Sequence, residues 1–258
     1  AREWYEKRTD RWSAGYAEEM MKTFETDVFP FIGGRPIAEI KPMELMGVLS
    51  RLDERGATEK LRKVRQRCGE VWRYAIVTGR AEYNPAPDLV SAFVPHKKEH
   101  YAFLKHEELP EFFRTLNTYS GSIVVKLAMR LQVLTGLRPG ELRQGEWAEI
   151  DFEKRLWEVP PSRMKKRRPH CVPLSAQAIA ILEQLKPITG HYQFIFPGRI
   201  HHSKPMSEMA MNVLIRRIGY AGRVTGHGFR HTMSTILHEQ GYNTAWIETQ
   251  LAHVDKNS

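Results

Sequence analysis

Cysteine is scarce in this sequence: Cys68 and Cys171 are the only two, far apart and in unlike settings. A disulfide framework or a thiolate zinc site needs more thiols or closer spacing, so two reduced cytosolic thiols are expected. No apolar run approaches the ~20 residues needed to cross a bilayer, and no membrane partner is expected. No charged segment followed by an apolar stretch opens the chain, so no secretion signal is read. Acidic residues are also short, with 30 Asp and Glu against 39 Lys and Arg for a net charge of +9. That balance favours a polyanionic partner, nucleic acid ahead of a membrane surface. The hydrophobic fraction of 41% is too high for disorder. The 258 residues suffice for one large domain or two ordinary ones. The chain begins at Ala1 rather than Met and is expected to be a fragment of something longer.

What is present reads mainly as helix. Trp12, Tyr16, Met20, Phe24 and Val28 recur at intervals of four, predicting a helix that ends before Pro30 and the Gly33-Gly34 turn. A second helix is expected over 41–55, with Met43, Met46, Leu49 and Leu52 on one face. A third is expected from a Thr58 cap to about Thr78, closed by Gly79. It carries Lys60, Arg62, Lys63, Arg65, Arg67 and Arg73 against two acids, Glu59 and Glu70. A solubilising face is the plain explanation; a DNA-facing surface suits the imbalance of sign. Proline clusters at 85–87 and Pro95, with His96-Lys97-Lys98, mark a linker. Beyond it, helices are expected over 106–118, 122–135 (buried through Ile123, Leu127, Leu131 and Leu134), 175–186, 207–218, 229–240 and 244–252. Leu156–Val159 and Cys171–Leu174 flank a basic turn and predict a β-hairpin. The fold class is therefore mainly α with a small antiparallel sheet in a second domain.

Four stretches could carry chemistry. In Thr135-Gly136-Leu137-Arg138-Pro139-Gly140-Glu141 a glycine ends one helix and a proline starts the next, holding Arg138 near a helix N-terminus that favours an anion. Read alone, it is a plain helix junction. Ser162 to His170 places Arg163 and the run Lys165-Lys166-Arg167-Arg168 on the hairpin, suited to a phosphate backbone. In Thr225-Gly226-His227-Gly228-Phe229-Arg230-His231, His227 and Arg230 lie together at a helix start, a good pairing for a phosphate. The His227/His231 pair also resembles half a zinc site, yet no third ligand is evident and no metal is expected. Thr249-Gln250-Leu251-Ala252-His253 ends the last helix with a histidine that is ordinarily structural.

Together and in this order the four resemble the tyrosine recombinase, or phage integrase, signature, most closely that of prophage and genomic-island integrases. The resemblance covers essentially the whole chain. It implies a helical core-type DNA-binding domain over 1–90, a linker over 91–103 and a catalytic domain over 104–258. It implies site-specific DNA recombination by metal-free transesterification, through a 3′-phosphotyrosyl link that frees a 5′-hydroxyl. Arg138 and Arg230 would hold the non-bridging oxygens, and Lys165 would protonate the departing oxygen. His227 would assist proton transfer at the nucleophile, and His253 would hydrogen-bond the phosphate. The family's pattern selects Lys165, eight residues before Pro173, over Lys166. DNA contacts are expected from Lys60, Arg62, Lys63, Arg65, Arg67, Arg163, Lys166, Arg167 and Arg168. No cofactor is implied. The implied partners are double-stranded attachment core sites, a homotetramer of the full-length enzyme on DNA, integration host factor and an excisionase. The implied location is the bacterial cytoplasm, at the nucleoid.

One departure stands out. The family's nucleophilic tyrosine follows the last histidine by more than the five residues left after His253, and Tyr242 precedes it. The chain is therefore expected to bind DNA without cleaving it. Two rivals share parts of this pattern. A type IB topoisomerase-like enzyme would use the same chemistry, and a non-catalytic DNA-binding regulator would explain charge and helices while leaving the four motifs as accidents. A zinc hydrolase on His227 and His231 is the weakest alternative.

Overall fold

Five described helices build the first of two units, Ala1–Glu99, in the computed structural model, which describes residues 1–93, 101–164 and 168–252. They are α1 (Arg2–Glu6), α2 (Ala14–Asp27), α3 (Phe29–Ile32), α4 (Pro42–Glu54) and α5 (Thr58–Val77). Ser13 precedes α2, so Trp12 lies ahead of the helix, where its ring meets Trp4 at 5.4 Å and Tyr5 at 5.8 Å. Helix α2 buries Ala17, Met20, Thr23, Phe24 and Asp27, while Tyr16 stays exposed.

Helix α4 departs from its expected face. It buries Leu45, Val48, Leu49 and Leu52, and leaves Met43 82% exposed and Met46 42% exposed. Steps of three residues fall behind a 3.6-residue turn by about 60° each, so three such steps carry Met43 to the side opposite Leu52. The i, i+3, i+4, i+7 set beginning at Leu45 is the true stripe. It packs on α5, whose Leu61, Val64, Cys68, Val71, Trp72 and Ala75 complete the core around a fully buried Trp4. Each fully buried large apolar side chain contributes roughly 1.5–3 kcal/mol.

The second unit, His100–Ser258, is built on α7 (Ile123–Thr135), which follows α6 (Leu109–Thr118) and precedes α8 (Pro139–Arg143). Ser122 caps α7 by accepting the Val125 N–H at 3.5 Å. Leu127, Ala128, Met129 and Leu131 are buried, whereas Ile123 at the first turn is exposed. A three-stranded antiparallel sheet follows, β1 (Ile150–Asp151), β2 (Leu156–Val159) and β3 (His170–Pro173), in the order β1-β2-β3. Val159 pairs with His170 and Leu156 with Pro173, which makes β2 and β3 an antiparallel pair. Then come α9 (Ala176–Thr189), α10 (Ala210–Arg217), α11 (Gly228–Glu239) and α12 (Thr244–Gln250). Helices α8, α9, α10 and α11 all pack on α7.

The start of this unit is stitched to α11. The Thr232 hydroxyl donates to the Leu104 carbonyl at 2.8 Å and accepts the Leu104 N–H at 3.1 Å. Gly228 must be glycine here, because a Cβ would collide with the Ala102 carbonyl. Residues 94–100, inside the expected linker, lie outside the described residues.

Candidate functional site

The Thr135–Glu141 turn is set by hydrogen bonds that the sequence alone supplies. Gly136 closes α7 at φ +63°, and a Cβ there would also strike the Met233 sulfur. The Gln132 amide donates to the Leu137 carbonyl as the backbone reverses. Arg138 then takes the N-cap position of α8 with Pro139 beside it in the first turn. Buried Glu141 accepts both the Arg138 backbone N–H at 3.0 Å and its Nη1 at 2.7 Å. Nη2 of Arg138 donates to the Ala252 carbonyl at 3.3 Å.

Arg230 arrives at the same place from the first turn of α11. It is 5% exposed and donates Nη1 to the Gly136 carbonyl and Nη2 to the Leu251 carbonyl at 2.6 Å. Burial, reinforced by Arg138 nearby, lowers its pKa to about 10, which still leaves it a cation at neutral pH. Two arginines thus share the charge of one buried carboxylate and are aimed by three backbone carbonyls. A guanidinium is planar, so fixing two of its N–H groups fixes the direction of the rest.

His227 stands exposed at the N-cap position of α11, with its ring 4.8 Å from that of Tyr101. The loop before it is held by Gly226 N–H to the Asn212 side chain at 3.1 Å and Gly228 N–H to the Thr225 hydroxyl at 3.0 Å. His231 faces Phe103 at 4.1 Å. Among the described residues no group of three or more His, Cys, Asp or Glu is arranged to hold a metal ion.

Two residues with no assigned role in the sequence reading join the arginines. One is Glu141. The other is His170, 7% exposed at the start of β3, whose Nε2 lies 3.1 Å from the Gln250 carbonyl. Burial holds its imidazole below the ordinary histidine range; Glu141 and the Gln250 carbonyl oppose the shift, and Arg230 and Arg138 add to it. The signal that could have exposed it is strand parity. In His170-Cys171-Val172-Pro173 the burial alternates in, out, in, out, so the histidine shares the inward side with Val172.

The expected DNA contacts divide. Lys165, Lys166, Arg167 and His253 lie outside the described residues, and Arg168 is exposed. Arg163 is a correction: its side chain is 12% exposed, ion-paired with Glu149, and its Nη1 donates to the Glu141 carbonyl at 3.0 Å. It ties the hairpin base to α8 rather than facing outward. Arg67 is the second correction. It is 6% exposed, with its guanidinium 5.2 Å from the Tyr16 ring, because position 67 falls on the same side of α5 as Val64, Cys68 and Val71. Lys60 bridges to buried Asp27 at 2.5 Å, Arg62 is bidentate on Glu59, and Lys63 is 3.9 Å from the same carboxylate. Arg65 donates to the Ala86 carbonyl at 3.1 Å.

Comparison with known proteins gives this geometry its context. Residues 1–92 match the phage integrase central domain and residues 102–258 match the phage integrase family. The chain belongs to the phage integrase family. It is 46% identical over 258 residues to the integrase of Shigella phage Sf6, covering all of this chain and 67% of that protein. The same identity and coverage hold for the prophage integrase IntS of Escherichia coli strain K12. The fold is similar to that of lambda integrase, in a crystal structure of its tetramer bound to a Holliday junction, with TM-score 0.79 at 19% identity, over 100% of this chain and 77% of that one. In this integrase-family chain no described helix is long and apolar enough to cross a membrane.

Proposed function

We propose that this chain is the DNA-binding and phosphate-gripping core of a site-specific recombinase that breaks and rejoins DNA at attachment core sites. The carrying observation is the meeting of Arg138 and Arg230, brought from opposite ends of the second unit onto the carbonyls of Gly136, Leu251 and Ala252. A scissile phosphate set between them would gain charge-assisted, bidentate hydrogen bonds that strengthen as its oxygens gather charge in the pentacoordinate transition state. A tyrosine oxygen attacks phosphorus and the 5′-oxygen leaves, so one phosphoester replaces another and the bond energy is kept for rejoining. Lys165 hands its proton to the departing oxygen, and His227 takes the proton from the attacking hydroxyl. His253 donates a hydrogen bond to the phosphate. With these cations around it, the phosphate needs no divalent metal.

Residues 1–90 serve in this reading as a core-binding domain and 104–258 as the catalytic one. Lys60, Arg62, Lys63, Arg65, Lys166, Arg167 and Arg168 contact the DNA backbone. Assembly as a homotetramer on DNA, with integration host factor and an excisionase as accessory partners, belongs to the same reading. None of the tyrosines in these 258 residues follows His253, and none is assigned as nucleophile. The test uses a nicked suicide substrate. The 258-residue chain is expected to bind core-site DNA and to form no covalent adduct. In the intact protein the adduct forms, and Arg230→Ala abolishes it while DNA binding largely persists. An adduct on the 258-residue chain, or an Arg230→Ala protein that still cleaves, overturns the proposal.

A further inference from the structure

Three successive carbonyls at the end of α12 are each received by a side chain of the site. Gln250 accepts from His170, Leu251 from Arg230, and Ala252 from Arg138. The row is anchored from behind by the Gln250 amide, which donates to the Thr135 carbonyl at 3.0 Å beside the Gly136 turn. Leu251 is buried against that turn. Of the described side chains bonded to these carbonyls, His170 alone comes from the hairpin. It stands at the foot of the basic connection 160–169, opposite Val159.

We infer that His170 is a positioning residue for the phosphate site: it couples the basic hairpin to the carbonyl row that orients Arg138 and Arg230. The inference rests on the recombinase reading above. Facing a carbonyl, Nε2 must carry the hydrogen, which leaves Nδ1 as the acceptor in the neutral ring. Its burial beside two arginines favours that neutral ring. Without the bond, the hairpin and the 250–252 row lose a shared fixed point. Arg138 and Arg230 would then meet the phosphate from less defined positions. Positional errors of this kind, on the order of 1 Å, cost up to about 10²-fold in rate while leaving contacts intact.

The residue types at this position separate positioning from simple filling of the core. Phe fills the ring's volume and cannot donate. The Gln side-chain amide reaches the place of Nε2 and can donate; the Asn amide stops about where Nδ1 stood and cannot reach. In the intact protein on a core-site suicide substrate, His170→Phe should form adduct about 10–100-fold more slowly at saturating DNA. Its affinity for core-site DNA should change by no more than about threefold, a split between chemistry and binding that a loss of folding does not give. His170→Gln should recover to within about fivefold of the native rate, and His170→Asn should not. A native rate in His170→Phe, equal rates in the Gln and Asn variants, or a loss confined to DNA affinity would each overturn the inference. If His170→Phe does not fold, the Gln and Asn pair decides it. Arg230→Ala in the same assay keeps the two readings apart. If it abolishes the adduct while His170→Phe does not slow it, the positioning role alone falls. If it leaves the adduct in place, the recombinase reading falls first.

Discussion

Both units of this chain are rich in arginine and lysine, but the basic residues of α5 in the first and the two site arginines in the second keep different company. In the first unit the basic residues of α5 mostly answer to acids and rings. Lys60 meets Asp27, Arg62 and Lys63 meet Glu59, and Arg67 lies over Tyr16. In the second, Arg230 answers to the Gly136 and Leu251 carbonyls, and Arg138 divides its fork between the buried Glu141 carboxylate and the Ala252 carbonyl. A carboxylate cancels a cation's field at close range, whereas a carbonyl orients the cation and leaves its charge in place. The first arrangement braces α5, internally at Glu59 and against α2 at Asp27 and Tyr16. The second pre-aims positive charge at a point where negative charge can develop, which is the basis of electrostatic catalysis.

That contrast can be broken most directly at Arg138. Arg138→Lys keeps the charge and removes the planar fork, and is expected to lower adduct formation by the intact protein about 10²-fold. Arg62→Lys on α5 should leave the same rate within about twofold, since exposed ion pairs tolerate the exchange. Equal effects at both positions would erase the distinction. Next in size is Arg163→Ala. It strips a partner from Glu149 in a pair whose side chains are 12% and 9% exposed, and should destabilise the chain by about 3 kcal/mol in urea unfolding. A large change in DNA affinity without that loss would return Arg163 to the DNA-contacting set.

Asp27→Asn tests the first unit. Burial raises the Asp27 pKa, but hydrogen bonds from Lys60, Arg55 and Thr26 outweigh it and hold the carboxyl below its usual range. Arg55 and Lys60 remain partly exposed, at 57% and 39%, so water offsets part of the loss and about 1–2 kcal/mol is expected. The smallest expected effect is in pH. His170 has its folded pKa lowered from 6.5, so the unfolded chain binds its proton first as pH falls. Its contribution to stability is complete above about pH 6.5 and declines on acidification through that range. Unfolding curves at pH 7.5 and 5.5 should therefore converge in His170→Gln relative to the native chain, because that one titration is gone. An unchanged gap would mean that Glu141 and the Gln250 carbonyl cancel the burial of the ring.

The sequence was most legible where backbone geometry and spacing act together. The turn at Gly136, the α11 start at Gly228 and the hairpin strands could be read because glycine, proline and period-two alternation each restrict the chain locally. The α4 face is not legible in this way, because spacing by three imitates a stripe over a few residues before the helix turns it away. Arg67 and Arg163 turn inward for a related reason. Composition assigns a charged residue outward, while its fate depends on whether its position faces the core and whether a ring or carboxylate waits there. By itself, then, the sequence determined the fold class, the two arginine-bearing turns and the family resemblance, all properties of local spacing. Only the tertiary structure decided that His170 belongs with the arginines. Only it supplied the carbonyls of Leu251 and Ala252 that hold them, because those partners come from segments more than a helix away.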